Sequence, residues 1–377
     1  MKPALHTHKA AIVPIQALRG MAACLVVIVH LLERLTKRGA FAQPLPDWVW
    51  SCGHIGVGVF FAISGFIMVY TTADEFGRPS AGKRFFLRRF LRVAPIYYLT
   101  SALMVAFAYV TFRYSTNAVY PVPTPPLALM SALFVPYMDY KGLTLPVYEL
   151  GWTLNYEMFF YAAFALALMA PRRIGLVGVM TALLGLMLVG MLVPAPPLVA
   201  GTPVPLFFFT RPVMLYFVIG MALGGIRQRF GTLRVPVADA VLCLMMLLPL
   251  ALAVRFGAQE ITMVGALCVT LALALASLLE GTGGQSGFAT VARAFGDASY
   301  SMYLTHSFLL GALGVVLTRV AAGRTGLLCV LMALACLICA AAAWLVWRFV
   351  ERPLTRWLTR RLTVQPTPAV QQSAVAP

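Results

Sequence analysis

An apolar stretch from Ala11 to Leu32 contains two ionisable side chains, Arg19 and His30. A helix that crosses a bilayer needs roughly 20 residues, and an ionisable side chain at membrane depth costs at least ~2.5–3.5 kcal/mol. The two residues are eleven positions apart, about three helical turns, so they share one helix face at a separation of roughly 16 Å. The pattern indicates a membrane span with a functional face. The alternative is that Arg19 snorkels to the inner surface and His30 caps the outer end.

The composition is typical of a polytopic membrane protein. Of its 377 residues, 61% are apolar and only 11% are charged, whereas a soluble domain is about a quarter charged. The formal net charge is +17, and most of the basic residues lie between the apolar runs. The basic residues are therefore interpreted as topology signals, and we expect no nucleic-acid partner.

The apolar runs predict an all-α polytopic integral membrane protein with about ten transmembrane helices and both termini in the cytoplasm. We predict a single transmembrane domain over residues 1–362 and a disordered C-terminal tail over 363–377. The predicted spans are 11–32, 52–72, 93–112, 152–170, 174–193, 206–225, 236–254, 261–279, 300–318 and 325–347.

A shorter run, Leu127 to Met138, is bracketed by prolines and suits an interfacial or re-entrant segment. If it crossed, five later arginines would move outside, against the positive-inside rule. With ten spans, His30 lies at the outer end of the first and Glu157 at the outer end of the fourth. An outward-side His and Glu are therefore expected to meet.

Three other segments carry polar groups. The run Lys83 to Arg92 holds five cations that suit phosphates, although a juxtamembrane anchor to anionic lipid explains it as well. Glycines and Ser64 between Gly56 and Met68 favour close helix packing. Between Ser299 and His306, a polar face near the inner end of span nine must turn away from lipid.

Together these segments resemble the membrane-bound acyltransferase 3 family. The matching elements occur in family order and cover about residues 12–356. They are Arg19-x10-His30, FFxxSGF at Phe60–Phe66, RRxxRxxP at Arg88, Arg89, Arg92 and Pro95, WTLxxExxFY at Trp152–Tyr161, SYxxYLxH at Ser299–His306, and Glu-x-Pro at Glu351–Pro353.

The resemblance implies transfer of an acyl group, most often acetyl, from cytoplasmic acetyl-CoA or another acyl-CoA to a hydroxyl of an extracytoplasmic carbohydrate such as exopolysaccharide or lipopolysaccharide. It implies a multi-pass protein of the bacterial inner membrane, and no metal is expected.

The resemblance and the expected geometry give each candidate residue a role. His30 is the predicted general base or acyl carrier, and Glu157 orients its ring. The predicted donor-binding residues are Arg19, Ser64, Arg88, Arg89, Arg92, Tyr300 and His306. The predicted acceptor-binding residues are His54, Trp152 and Tyr161. An interfacial aromatic belt would explain Trp152 and Tyr161 equally well.

Two other classes of function remain open on the sequence. A transporter or flippase of a small or lipid-linked molecule would also need intramembrane charges, but it would consume no acyl-CoA. A structural subunit of a polysaccharide-export complex would tolerate replacement of His30. The identity of the acceptor is not encoded in any one segment, because the pocket is assembled from several helices.

Overall fold

The structure is a computed structural model that describes residues 12–41, 43–114, 121–231, 233–234, 270, 273–274, 279–280, 287–320 and 324–363. Apart from one parallel pair of two-residue strands, β1 (Leu233–Arg234) and β2 (Leu279–Glu280), the regular structure is helical. The long helices are α1 (Val13–Lys37), α2 (Asp47–Thr71), α3 (Ala81–Tyr114), α6 (Arg172–Gly190), α9 (Gly287–Val320) and α10 (Thr325–Val346). The shorter helices are α4 (Pro125–Ala132), α5 (Trp152–Ala167), α7 (Pro205–Phe209), α8 (Leu215–Phe230) and α11 (Arg352–Thr363). Short 3-10 turns precede α5 (Glu149–Gly151) and α8 (Pro212–Met214), and a π-helical turn (Trp347–Glu351) joins α10 to α11.

Within the described ranges, six helical segments are long and apolar enough to cross a membrane. They are Val13–Lys37, Cys52–Thr71, Ala81–Tyr114, Arg172–Gly190, Ala289–Val320 and Gly326–Leu362. Large apolar side chains such as Phe107, Leu188 and Leu337 are at least half exposed, as a lipid-facing surface requires. The chain is therefore a helical membrane protein.

The count of ten spans stays a prediction. Predicted spans 236–254 and 261–279 fall almost entirely outside the described residues, as does the predicted tail beyond Thr363. Predicted span 206–225 is not one helix, because α7 ends at Phe209 and the chain restarts through the turn at Pro212. The run Leu127–Met138 overlaps only one helix, the eight-residue α4 (Pro125–Ala132), which at ~1.5 Å per residue is too short to cross.

Helix α1 runs parallel to α9. Gly20 packs on Phe295 and Gly296, and Gly314 lies near Arg38 toward the other ends of both helices. At the first crossing, a Cβ on Gly20 would lie 2.8 Å from the Cβ of Phe295, so the small residue permits the close approach. The contact between α1 and α9 therefore runs from Gly20 to Arg38 and includes His30.

Helix α2 runs parallel to α8 in a second close pair. A Cβ on Gly65 would collide with the Phe217 carbonyl, and one on Gly220 would collide with the Ala62 carbonyl. The packing role predicted for the glycines between Gly56 and Met68 is therefore present. This pair and α3, α5 and α9 bury the aromatic core that surrounds the polar cavity.

Candidate active site

A cavity of about 90 Å³ opens among α1, α2, α3, α5 and α9, and we call it the arginine chamber. Its polar lining is Arg19, Ser64, Arg89, Arg92, Thr153, Glu157, Tyr161, Tyr300 and Tyr303. At about 30 Å³ per water molecule, the cavity has room for a slim chain but not for a nucleotide. Only one end of a large ligand would therefore fit into this cavity.

The three arginines of this chamber have no carboxylate partner within the described part of the chain. Arg19 is only 9% exposed and donates to the side chain of Gln16 at 3.2 Å. The Arg89 guanidinium lies 5.8 Å from the ring centre of Phe85 and 5.9 Å from that of Tyr161. Arg92 is exposed. Arg19 is buried and Arg89 half-buried, and a buried cation without a carboxylate partner is costly, so this arrangement favours an anionic ligand.

Glu157 is the acidic residue of the arginine chamber. Its Oε1 accepts hydrogen bonds from the Ser64 hydroxyl at 2.9 Å and from the Tyr161 hydroxyl. Both donors are thereby committed to the carboxylate, and the chamber keeps a net positive charge from three guanidiniums against one carboxylate. Glu157 thereby holds the Ser64 and Tyr161 side chains in this wall and balances part of its positive charge.

A second cavity of about 450 Å³ lies further along α1, and we call it the histidine chamber. Its polar and aromatic lining is His30, Glu33, Trp50, His54, Trp152 and Tyr303. Two indoles offer flat apolar faces, while the imidazoles and the carboxylate offer hydrogen-bonding groups. This combination suits a hydroxyl-rich ligand with an apolar face.

Val57 and Tyr303 line both chambers, so the two cavities are separated by a thin wall of side chains. The Tyr303 hydroxyl donates to the Leu150 carbonyl at 3.0 Å and accepts from the Thr153 hydroxyl at 2.9 Å. These two hydrogen bonds of its hydroxyl hold the Tyr303 ring between the chambers. The arginine and histidine sites are thus adjacent, in agreement with the shared face predicted for Arg19 and His30.

His30 is hydrogen-bonded to a second histidine on the parallel helix α9. Its Nδ1 lies 2.8 Å from the Nε2 of His306, and the ring planes differ by only 8°. His306 is 1% exposed, and its Nδ1 lies 2.9 Å from the Met302 carbonyl oxygen. Next to it, Arg34 donates to the Ser307 hydroxyl at 2.8 Å and ties the two helices together.

The structure corrects several expected placements. The predicted pairing of His30 with Glu157 is absent from the described contacts, because Glu157, five residues after Trp152 and so roughly 140° around α5 from it, faces the arginine chamber. Tyr161 likewise lies in the arginine chamber and not with Trp152. His306 lies in the middle of α9, because that helix begins at Gly287 and not near Tyr300.

Arg88 is placed apart from the other two arginines of its motif. It is exposed, and its Nη2 donates to both carboxylate oxygens of Glu75, at 2.9 and 3.1 Å. At about 100° per residue, Arg88 lies roughly 40° from Arg92 and 100° from Arg89 around the helix. Its ion pair with Glu75, and not an opposite helix face, therefore keeps its guanidinium out of the cavity lining. Sequence reasoning treated the three arginines alike because the motif does not show which face meets the cavity.

Sequence reasoning assigned no role to Glu33, Trp50 and Tyr303, which line the histidine chamber. Tyr303 shares a helix face with Tyr300 and His306, and that spacing was the available signal. Glu33 follows His30 by three positions on α1, which is one turn. Trp50 lies before the predicted start of span two, and nothing in its local pattern pointed to the site.

Comparison with known proteins supplies the family context for this geometry. A family model described as an acyltransferase domain matches residues 13–347. The "Exopolysaccharide production protein ExoZ" of Rhizobium meliloti (strain 1021) is 33% identical over 311 residues, which cover 81% of this chain and 91% of the relative. The "Acyltransferase MdmB" of Streptomyces mycarofaciens is 25% identical over 390 residues, covering 94% of this chain and 95% of the relative. No solved structure matches.

Proposed function

The chain belongs to the membrane-bound acyltransferase 3 family, and on that premise we propose that it transfers an acyl group from acyl-CoA to a hydroxyl of an extracytoplasmic carbohydrate. Acetyl is the proposed acyl group and exopolysaccharide the proposed class of acceptor, by analogy with the exopolysaccharide-production relative. The proposed location is the bacterial inner membrane. Donor and acceptor enter from opposite sides and meet between the two chambers.

The donor binds at the arginine chamber. Arg89 and Arg92 hold the nucleotide phosphates at its mouth, where the exposed Arg92 gives access from outside the protein. Guanidiniums suit this role because each makes two charge-assisted hydrogen bonds to a phosphate. The narrow cavity takes only the acylated chain of the donor, and Arg19 contacts that chain deeper in the membrane.

The acceptor binds in the histidine chamber. One sugar face packs on Trp50 or Trp152, and the reacting hydroxyl approaches the free nitrogen of His30. His30 takes the hydroxyl proton while the oxygen attacks the thioester carbonyl. The new ester C–O bond forms, the C–S bond breaks, and the coenzyme leaves as a thiolate that takes up one proton.

The observation that carries this proposal is the wall shared by the two chambers. Val57 and Tyr303 line both cavities, so an anion bound at the arginines and a hydroxyl bound at His30 would be neighbours. A flippase needs one cavity that changes sides, and it has no need for a base next to an unpaired arginine cluster. Proximity of two reactants is what a transferase needs.

The test uses purified protein in nanodiscs with acetyl-CoA labelled in its acetyl carbon. The acceptor is surface polysaccharide from a deletion strain, which lacks the ester that this protein would add. We expect label to pass into the polysaccharide and free coenzyme to appear in equal amount. Mass spectrometry then locates the ester on a sugar hydroxyl.

Polysaccharide from the parental strain, already esterified, is the matched control and is expected to accept much less label. If the nanodiscs bind acetyl-CoA but transfer label to neither polysaccharide, an exopolysaccharide acceptor is excluded. If they bind no acetyl-CoA and instead move lipid-linked sugar across a vesicle membrane, the flippase class replaces the transferase.

A further inference from the structure

We propose that His306 is the positioning residue that fixes the tautomer of His30, so that Nε2 of His30 is the basic nitrogen. This inference rests on the proposed function, in which His30 is the general base. The sequence suggested the carboxylate of Glu157 for this role. In the structure, the imidazole of His306 on the parallel helix α9 lies next to His30 instead. The described contacts carry the inference in three steps.

The first step is the hydrogen on His306. A carbonyl oxygen only accepts hydrogen bonds, and the Met302 oxygen lies 2.9 Å from Nδ1 of His306. Nδ1 of His306 must therefore carry the hydrogen. The ring is 1% exposed and near Arg34, and no carboxylate of the described residues hydrogen-bonds to it, which favours the neutral imidazole. Nε2 of His306 is then an unprotonated acceptor.

The second step is the hydrogen on His30. Its Nδ1 lies 2.8 Å from Nε2 of His306, and since that Nε2 has no hydrogen, Nδ1 of His30 is the donor. The ring centres are 5.1 Å apart with planes 8° apart, the spacing of two imidazoles joined in line through one N···N hydrogen bond. The rings thus lie edge to edge, along the direction of the nitrogen lone pair, and are not stacked face to face.

The third step is the nitrogen that remains. A neutral imidazole carries one hydrogen, so Nε2 of His30 keeps its lone pair. No described residue hydrogen-bonds to this nitrogen, and the His30 ring lines the histidine chamber. The chain of bonds from Met302 through His306 to His30 therefore delivers an unprotonated nitrogen to the place where the acceptor binds. When His30 takes a proton, His306 remains an acceptor for Nδ1–H and stabilises the imidazolium.

Helix packing holds the two rings in place. Arg34, one turn beyond His30, donates to both the hydroxyl and the carbonyl oxygen of Ser307, at 2.8 and 3.3 Å. Gly20 and Gly296 bring the same two helices together three turns away. His306 is thus held from both sides along the α1–α9 contact, as an orienting group must be.

The direct test is the nitrogen spectrum of the protein in nanodiscs with ¹⁵N-labelled histidine. The chain has five histidines, so the His30 signals can be assigned from variants in which each of the others is replaced. We expect His30 to show hydrogen on Nδ1 and none on Nε2. A parental His30 with its hydrogen on Nε2 overturns the proposal.

Three variants test the functional consequence in the acetyl-transfer assay. His306→Leu removes the acceptor, and we expect kcat to fall roughly 100-fold with unchanged binding of acetyl-CoA, since the wrong tautomer has no basic nitrogen in the chamber. His306→Gln places an amide oxygen near the position of Nε2, and it should recover kcat to within about tenfold of the parent. Thr305→Val is the control: its hydroxyl bonds only its own helix, to the Ser301 carbonyl, and the change should leave kcat near the parental value.

If His306→Leu turns over at the parental rate, or if His306→Gln is as slow as His306→Leu while keeping the native His30 tautomer, His306 does not position the base. Failure of the parent to transfer acetyl would refute the proposed function instead. The spectrum would still decide the hydrogen-bond assignment, so the two failures are distinguishable.

Discussion

Arg19 and His30 lie on one face of α1 but line different cavities, and the side chain of Tyr303 lies in the wall between those cavities. One helix thereby contributes an anion-binding group to the arginine chamber and a base to the histidine chamber. This arrangement gives a membrane enzyme two separate binding sites whose ligands meet at a single layer of side chains.

The two inward arginines of α3 are expected to bind the donor, and Arg88 is not. Arg89→Ala or Arg92→Ala should weaken binding of CoA by roughly 10- to 150-fold, because a charge-assisted phosphate contact contributes ~1.5–3 kcal/mol. Lysine at either position should restore the CoA affinity only in part, since an ammonium cannot make the bidentate hydrogen bond to phosphate. Isothermal titration or filter binding of labelled CoA measures the effect.

Arg84→Ala is the matched control for lost charge. Arg84 lies in the same basic run, is exposed, and donates to the Pro79 carbonyl at 2.9 Å. We expect Arg84→Ala, and likewise Arg88→Ala, to change CoA affinity by less than about threefold. Equal weakening by all four substitutions would mean that the run acts only through its summed charge.

Glu157 is expected to affect the donor and not the base. Glu157→Gln keeps an oxygen that accepts from Ser64 and Tyr161 but removes the negative charge of the arginine chamber. CoA should bind about 2- to 10-fold more tightly, since a carboxylate several ångströms from the phosphates no longer repels them. Glu149→Gln, just before the same helix and outside the arginine chamber, should leave CoA affinity unchanged. Loss of turnover at unchanged CoA affinity would return Glu157 to the role of partner for His30.

The close approach of α2 and α8 is expected to depend on Gly220 as well as on Gly65. Gly220→Ala places a Cβ against the Ala62 carbonyl, which should lower the temperature of heat-induced aggregation, as overpacking costs about 1–3 kcal/mol. Gly225→Ala, on the same helix, meets nothing within 4 Å and should be neutral or stabilising. Size-exclusion chromatography after a temperature series compares the two variants, and equal midpoints would show that the helices are not in close contact.

The direction of the helices can be tested with single cysteines after the seven native cysteines are replaced. The Gly77 amide donates to the Leu168 carbonyl at 2.9 Å, so the loops that contain Asp74 and Pro171 lie at one end of the bundle. With that end in the cytoplasm, cysteine at 74 or 171 should react with an impermeant maleimide only after permeabilisation. Cysteine at 43 or 197 should react in intact spheroplasts, and the opposite pattern would invert the orientation.

The sequence predicted the parts of the fold that depend on local hydropathy. The predicted span starts at 152, 174 and 325 agree within two residues with the helix starts at Trp152, Arg172 and Thr325, because proline or polar residues precede these runs. The extension of α9 back to Gly287 was not predicted, since Arg293 and Asp297 interrupt the hydropathy while the helix continues.

For the site, helical spacing predicted that Arg19 and His30 share a face, but no sequence pattern fixes how far one helix is displaced along another. The displacement of the helices along one another determines which side chains lie close together. As a result, His30 is hydrogen-bonded to His306, and Glu157 to Ser64. The displacement comes from tertiary packing at positions such as Gly20 and Gly65, where the backbone of one helix contacts the next. The sequence therefore identifies the candidate residues, but only the packing of the helices shows which of them are partners.

The most direct measurement of the central claim is single-turnover acetyl transfer by His30→Gln, with acetyl-CoA binding measured on the same nanodisc sample. Glutamine keeps hydrogen bonding at this position but cannot take the proton of the acceptor hydroxyl. The account predicts unchanged acetyl-CoA binding and a transfer rate lower by about 10²- to 10⁴-fold. Transfer by His30→Gln at close to the parental rate would contradict it and would leave His30 as a residue that only packs α1 against α9.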